Sequence, residues 1–447
     1  MGEHSDTHHQ PLRSILQPTT QAQVSGYKFL LRRAELGAVM GDIRMIHDPL
    51  GARNKALAFG AAAAVVVGLG AGAMALFSPQ RDPGEAPIMV ADSGALYVRS
   101  EEGVHPVTNL ASARLVVGEA ATPARISDAV LATQRFAHEV GIGVAPSAVA
   151  DTAPEQPLVA CHEVRSDELH VGSGIEYRPL GEEEAFVARD ERGTQWLITS
   201  EGRRRLPFAR DELGAATRQA VGVDRDTPVV ETSSTWLNTV HALPDFAVPS
   251  GPWEIADVGG AAYLIRREGL IELTDTQRSI LVQLGARTRE RTREDISGFG
   301  DSGQTLQLLR RPYSLIDAPF LGAPESHPAA VCSAGTQRGP GVRMGALEGS
   351  IPVLGAHATH YRPAYEDEQR SGLAFGVDTA QGTHVISETG RRHAVPSGKE
   401  LAVVGVESTT AASWSVVSLL PEGEVLSFEA ARAPAHRNIR GIAQRYK

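Results

Sequence analysis

The chain has 447 residues, 42% hydrophobic but only 5% aromatic, with 45 glycines and a formal net charge of −10. That length implies two or more domains, and few aromatics with many glycines suit small modules better than one large enzyme core. Over about the last 370 residues, Lys and Arg concentrate locally at 203–205 and in the tail 437–447, which read as a solvated strand end and a frayed terminus. The acidic balance therefore excludes a general nucleic-acid binder.

Residues 1–55 read as a cytoplasmic leader. Tyr27-Lys28-Phe29-Leu30-Leu31-Arg32-Arg33 leads into Leu36, Val39, Met40, Ile43 and Ile46 at helical spacing. This predicts an amphipathic helix lying against a membrane or a partner, ended by Pro49. Residues 56–77 are then uncharged. At 1.5 Å per residue they span about 30 Å, the hydrocarbon thickness of a bilayer, so one transmembrane helix is expected. A cleaved signal sequence and a buried alanine-rich core helix are the alternatives. Lys28, Arg32, Arg33, Arg44, Arg53 and Lys55 precede the run, whereas Arg81 after it is offset by Asp82 and Glu85. The positive-inside rule places the N-terminus in the cytoplasm and the remaining mass outside. Gly68 and Gly72, with Gly70 and Ala64, form a small-residue stripe that admits a second helix at close range.

An internal repeat organises the chain beyond the apolar run. Its first copy (86–122) carries Asp92, Gly94, Leu96-Tyr97-Val98, Gly103, Pro106 and Gly118. The second (185–223) has Asp190, Gly193, Trp196-Leu197-Ile198, Gly202, Pro207 and Gly222; the third (254–286) has Asp257, Gly260, Tyr263-Leu264-Ile265, Gly269 and Gly285. The fourth (371–407) has Asp378, Gly382, His384-Val385-Ile386, Gly390, Pro396 and Gly405. The first two glycines stand nine, nine, nine and eight residues apart. Each copy reads as a strand, a glycine turn, a second strand and a helix closed by a glycine. A unit of roughly 35 residues buries too little to stand alone, so the copies lean on neighbours or on a central domain. The intervening stretches are 123–184 and 287–370, expected to build that central domain, a connecting segment 224–253, and a C-terminal segment 408–447.

The two cysteines, Cys161 and Cys332, both follow the apolar run, in what is expected to be an oxidising compartment. Pairing with each other is the leading expectation, two buried free thiols the alternative. A bridge closing about 170 residues contributes on the order of 4 kcal/mol in the chain-entropy model. Neither cysteine has a CxxC or histidine partner at ligand spacing, and no metal site is expected. The nearest match to a phosphate-binding loop is Gly298, Gly303 and Thr305, with Gln304 where the lysine belongs. ATP would be its ligand, but without that charge the stretch reads as a surface loop. Gly300-Asp301-Ser302-Gly303 has the look of a serine-protease nucleophile loop, yet His105, His162 and His241 are isolated in sequence. The clusters Glu182–Glu184 and Glu366–Glu368 read as solvated charge. No catalytic residue and no cofactor is expected.

The leader QVSGYKFLLRRAELGAVMGDIRMIHDPL, the single apolar run, the first repeat DSGALYVR…GVHPVTNLASARLVVG and the closing GTHVISETGRRHAVPSGKELAVVGV…LLPEGEVLSFEAAR resemble EccB, a core component of type VII (ESX) secretion systems. The resemblance covers about 17–434. It implies an α+β fold with a β-rich periplasmic ectodomain, four small repeat modules around a central β domain, and one N-terminal transmembrane anchor. It implies that Cys161 and Cys332 occupy the family's disulfide positions and that 27–33 occupy its membrane-proximal cytoplasmic helix. The implied function is structural: a cytoplasmic-membrane subunit that joins EccC-, EccD- and EccE-like subunits and multimerises through its periplasmic part. The family has also been described as ATPase, so an ATP hydrolase is the alternative, and a cell-wall-binding module is a third. Residues 141–146 depart from the family's Gly- and Pro-rich element, and the tail after Arg432 is short and basic.

Overall fold

The computed structural model describes residues 20–41, 43–44, 49–77, 82–316, 329–336, 338–345, 347–363 and 373–434. The chain divides into two compact units, Met1–Gln80 and Arg81–Lys447. In the first, a helix over Gln21–Met40 starts with a capping box between Thr20 and Gln23 and stops at Gly41, whose φ is 70°. Glycine takes that left-handed conformation without a Cβ penalty, so the helix ends there and not at Pro49. Pro49 instead opens the next helix, Pro49–Phe77, where its missing N–H has no intrahelical partner to lose. This helix starts seven residues before the expected position 56, and its stretch Arg53–Met74 is long and apolar enough to cross a membrane. The amphipathic pattern resolves only in part. Leu36 is buried, Tyr27, Leu30, Val39 and Met40 are exposed, and Ile43 falls beyond the helix. Ile46, Glu366–Glu368 and the tail 437–447 lie outside the described residues.

In the second unit the described strands form five sheets, four of which share one topology. In the first, Ile88–Ala91, Leu96–Ser100 and Gly103–Val107 run antiparallel. A helix over Leu110–Val117 then crosses back, closes on Gly118 (φ 89°), and delivers Ala124–Ile126 parallel to the opening strand. The same path is taken by Glu184–Arg189, Gln195–Thr199, Gly202–Arg205, the helix Glu212–Val221 and Val229–Glu231. It is taken again by Glu254–Val258, Ala261–Arg266, Gly269–Leu273, the helix Asp275–Gln283 and Arg287–Glu290. The last set is Phe375–Thr379, Gly382–Ile386, Arg392–Ala394, the helix Gly398–Val404 and Thr409–Ala411.

Each path continues past the boundary expected from the glycine pattern. After the parallel strand comes a short helix whose N-cap is Ser127, Ser233, Thr292 or Ser413. Eight residues beyond each cap, the carbonyls of Arg135, His241, Gly300 and Pro421 accept from the amides of Val104, Arg203, Leu270 and Arg392. The chain thus returns along the third strand in parallel pairing and covers that edge. Residues 123–140, 224–243, 287–302 and 408–423, expected to be central, connecting or C-terminal, therefore complete these sheets. Ser314–Leu315 also leaves the expected central domain and pairs with Glu184–Ala185 of the second sheet.

The fourth sheet departs from the expected glycine pattern. In the first three sheets Gly103, Gly202 and Gly269 close the second hairpin, pairing with Ser100, Thr199 and Arg266 across two-residue loops. In the fourth sheet Gly382 closes the first hairpin this way, opposite Thr379. Gly390 forms the other type, its amide bonded to the Ser387 carbonyl as Gly94 is to Ala91 and Gly193 to Asp190. The two hairpins have exchanged places, so the eight-residue spacing marks a different turn order.

The seven-stranded central sheet runs in the order Ile351–Pro352, His360–Arg362, Leu169–Gly172, Val159–Glu163, Ala329–Ser333, Gly341–Met344, Arg178–Pro179. One face, through Ala160, Val171 and Val331, joins a core with Phe186, Ile198 and Trp236 of the second sheet's segment and Phe375, Val377 and Val416 of the fourth's. Strand alternation then works in both directions. Ala185 and Val187 turn the opposite way, into a core shared with Ile255, Leu264 and Ile280 of the third copy. Val385 and Val395 pack with Ala111 and Leu115 of the first copy. The packing sequence is first, fourth, central, second, third.

Candidate functional site: the module array and the disulfide row

The array is held at two kinds of joint. Long helices join neighbours pairwise: Leu110–Val117 packs on Gly398–Val404 and on Phe428–Arg432, and Glu212–Val221 packs on Asp275–Gln283. Short helices dock the inner copies on the central sheet. Trp236, fully buried, donates its indole N–H to the Ala160 carbonyl at 3.2 Å. For the fourth sheet's segment, Ala358 N–H reaches Leu419 O at 3.0 Å, while Val416 and Val417 are fully buried. Sequence sorts these roles: Ser234–Leu237 and Trp414–Val417 carry the apolar side chains that plug in, whereas Arg293–Ile296 buries none.

Cys161 and Cys332 form a disulfide, both residues fully buried on the second face of the central sheet. They are directly opposite each other on neighbouring strands. The register continues the row: Cys161 faces His170, and His170 faces His360 on the next strand. Glu168, two residues before His170, completes a cluster whose ligand-type atoms all lie within 4.8 Å of one another. Sequence reasoning missed this cluster, because 190 residues separate His170 from His360 and only strand register joins them.

The other expected residues take structural places. Gly68 and Gly72 lie on the Pro49–Phe77 helix, where an added Cβ would meet nothing within 4 Å in the described chain. Gly298, Gly303 and Thr305 do not open a helix; the stretch after Gly303 is irregular, and Gly300 is spent on the return pairing with Leu270. A phosphate loop needs a helix N-terminus at that point. His105 bonds the His138 carbonyl at 2.8 Å and Ser100 Oγ at 2.9 Å, a satisfied structural histidine. Glu184 accepts from Gly181 N–H at 2.8 Å and from Arg178; the Gly181 amide first and then the Arg178 guanidinium hold its carboxyl below the usual range. A cleft of about 980 Å³ lies at the third sheet beside Trp253, Arg266, Arg287 and Phe299.

Burial holds the imidazoles of His162, His384 and His393 below their ordinary value of 6.5. For His393, bonded to the Glu424 carbonyl, the nearby Arg391 acts in the same direction and Glu388 opposes it. The folded chain keeps these groups neutral as pH falls through 6.5, while the unfolded chain takes up protons. Stability should therefore decline from pH 7 toward pH 5.5. The Glu424 carboxyl, raised by burial, works the other way and limits the loss only at lower pH. Thermal melts across that window should show the decline, and His393→Gln should lessen it while His162 and His384 keep the remainder; a flat wild-type profile would contradict the assignment.

The chain combines a helix long and apolar enough to cross a membrane with a β-rich α/β unit in which four sheets of like topology accompany a disulfide-bridged sheet. Residues 16–271 match the family model described as "Type VII secretion system ESX-1, transport TM domain B", and the chain belongs to that family, EccB. It is similar to the "ESX-1 secretion system ATPase EccB1" of Mycobacterium tuberculosis, 27% identical with 93% of this chain and 95% of the relative covered. It is also similar to that organism's "ESX-5 secretion system ATPase EccB5", at 26% identity with 92% of each covered. In fold it resembles a chain of the intact ESX-5 inner membrane complex, with TM-score 0.60, 23% identity and coverage of 94% and 96%. It resembles likewise the EccB3 dimer from the ESX-3 core complex, with TM-score 0.59, 20% identity and coverage of 78% and 100%.

Proposed function

We propose that this chain is a structural subunit of a type VII secretion membrane complex. The Pro49–Phe77 helix anchors it in the cytoplasmic membrane with the leader inside, and the Arg81–Lys447 unit works on the periplasmic side. The four like sheets are repeat modules of roughly 50 residues, and their array binds sister copies and EccC-, EccD- and EccE-like subunits. The observation that carries this reading is where the buried surface goes: alternate strand faces and helices are consumed in joining module to module, the economy of a scaffold. The dimer in the related EccB3 structure supports association of copies.

The relatives' name, ATPase, supports a second reading, hydrolysis of ATP. Against it stands the use of Gly300 in return pairing. One genetic experiment separates the two. In cells lacking this chain, secretion by its system should be restored by a Thr305→Ala chain and by an Asp301→Ala chain, but not by a chain truncated after residue 77. Loss of secretion in a well-folded Thr305→Ala chain would favour hydrolysis.

A further inference from the structure

Glu168, His170 and His360 gather at one margin of the central sheet's disulfide face. Glu168 Oε2 stands 3.3 Å from His170 Nε2 and 3.9 Å from His360 Nδ1. The imidazoles stack with centroids 4.6 Å apart and planes 13° from parallel. The backbone that sets this is rigid: His170 and His360 are register partners on parallel strands, and His170 is register partner to the bridged Cys161.

The chemistry of the set is that of a metal site. Two imidazoles and one carboxylate are the three protein ligands of an open zinc centre, with the fourth position left to water or another donor. Donors at ~2.1 Å around a tetrahedral ion sit roughly 3.4 Å apart, close to the Glu168–His170 separation. His170 is 4% exposed, and its Nε2 is the ring nitrogen turned to Glu168. The side chain of His360 is more open, 24% exposed, which gives its ring room to turn toward a shared ion. Glu163, opposite Glu168 on the neighbouring strand, adds a second carboxylate in the vicinity. Mixed nitrogen and oxygen donors disfavour calcium and magnesium, which take oxygen ligands.

We propose that Glu168, His170 and His360 bind one divalent transition-metal ion of the zinc class, joining the strand His360–Arg362 to the disulfide-bearing core of the sheet. The test uses the full chain in mild detergent, stripped with a chelator and titrated with Zn²⁺ and with Co²⁺. His4, His8 and His9 are replaced by alanine throughout, so that the N-terminal histidines contribute nothing. The expected result is one ion per chain, with tetrahedral Co²⁺ absorption bands. His360→Gln and Glu168→Gln should each weaken binding at least about tenfold, while the distant His241→Ala leaves it unchanged. If His170→Ala fails to fold, those two milder variants decide. Absence of stoichiometric binding, or affinity unaltered in His360→Gln and Glu168→Gln, would overturn the site.

Discussion

Removing the Cys161–Cys332 bridge is expected to destabilise the Arg81–Lys447 unit by about 4 to 5 kcal/mol, the entropy of leaving a loop of this length open in the unfolded chain. The two cysteines are 171 positions apart, and that loop contains the second and third sheets entire. The effect should be concentrated in the central sheet, because the strands Val159–Glu163 and Ala329–Ser333 that the bridge joins are the fourth and fifth of its seven. Both residues are fully buried, so a mild reductant should not reach the bond in the folded protein. Denaturant unfolding of the Cys161→Ala/Cys332→Ala protein, compared with the oxidised wild type, measures the loss. Equal midpoints would show that the bridge contributes nothing to stability. Alkylation of both thiols in unfolded, unreduced protein would show that it does not form.

Gly269→Ala should cost about 3 kcal/mol or more, and the neighbouring Gly260→Ala only about 1 kcal/mol. Both glycines have positive φ, 133° and 92°. They differ in what stands beside them. A Cβ on Gly269 would come under 3.0 Å from the Gly300 carbonyl oxygen and from Ser302 N, backbone atoms of the return segment, whereas one on Gly260 would meet nothing within 4 Å. Relief of the first clash breaks the paired bonds Leu270 N–H to Gly300 O and Ser302 N–H to Leu270 O. Gly103 and Gly202 meet the carbonyls of Arg135 and His241 in the same manner, so they should respond alike. Thermal melts of the two variants, with hydrogen exchange at Leu270 and Ser302, make the comparison. Equal losses would mean that the return segment is not held by this close approach.

The glycine grammar made the hairpins and the helix ends legible, because turns with φ > 0 and left-handed helix caps select one residue type. Gly118, Gly222 and Gly405 cap their helices in that conformation, and Gly285 follows its helix with φ 94°. The parallel fourth strands were not legible. Ala124–Ile126 and Thr409–Ala411 are three residues each, too short for a period-two pattern to stand out. The return segments were hidden for a related reason: their pairing is backbone to backbone, and the sequence signal is a Ser or Thr cap eight residues upstream. The stretch Gly298 to Gly303 shows the consequence, since its glycines suggest a phosphate loop when the fold uses one of them against Gly269. Pro49 is ambiguous in sequence because proline both ends and begins helices, and Gly41 has already ended the first one. The Glu168, His170 and His360 cluster needed strand register, which no single-chain pattern supplies.

The central claim, that the chain is a scaffold built for assembly, is tested most directly by purifying it at full length from mild-detergent membranes and measuring native mass with identification of the co-purifying chains. The account predicts a large complex that contains more than one copy of this chain together with other subunits of the secretion membrane complex. Recovery of a free monomer that turns over nucleotide would contradict it.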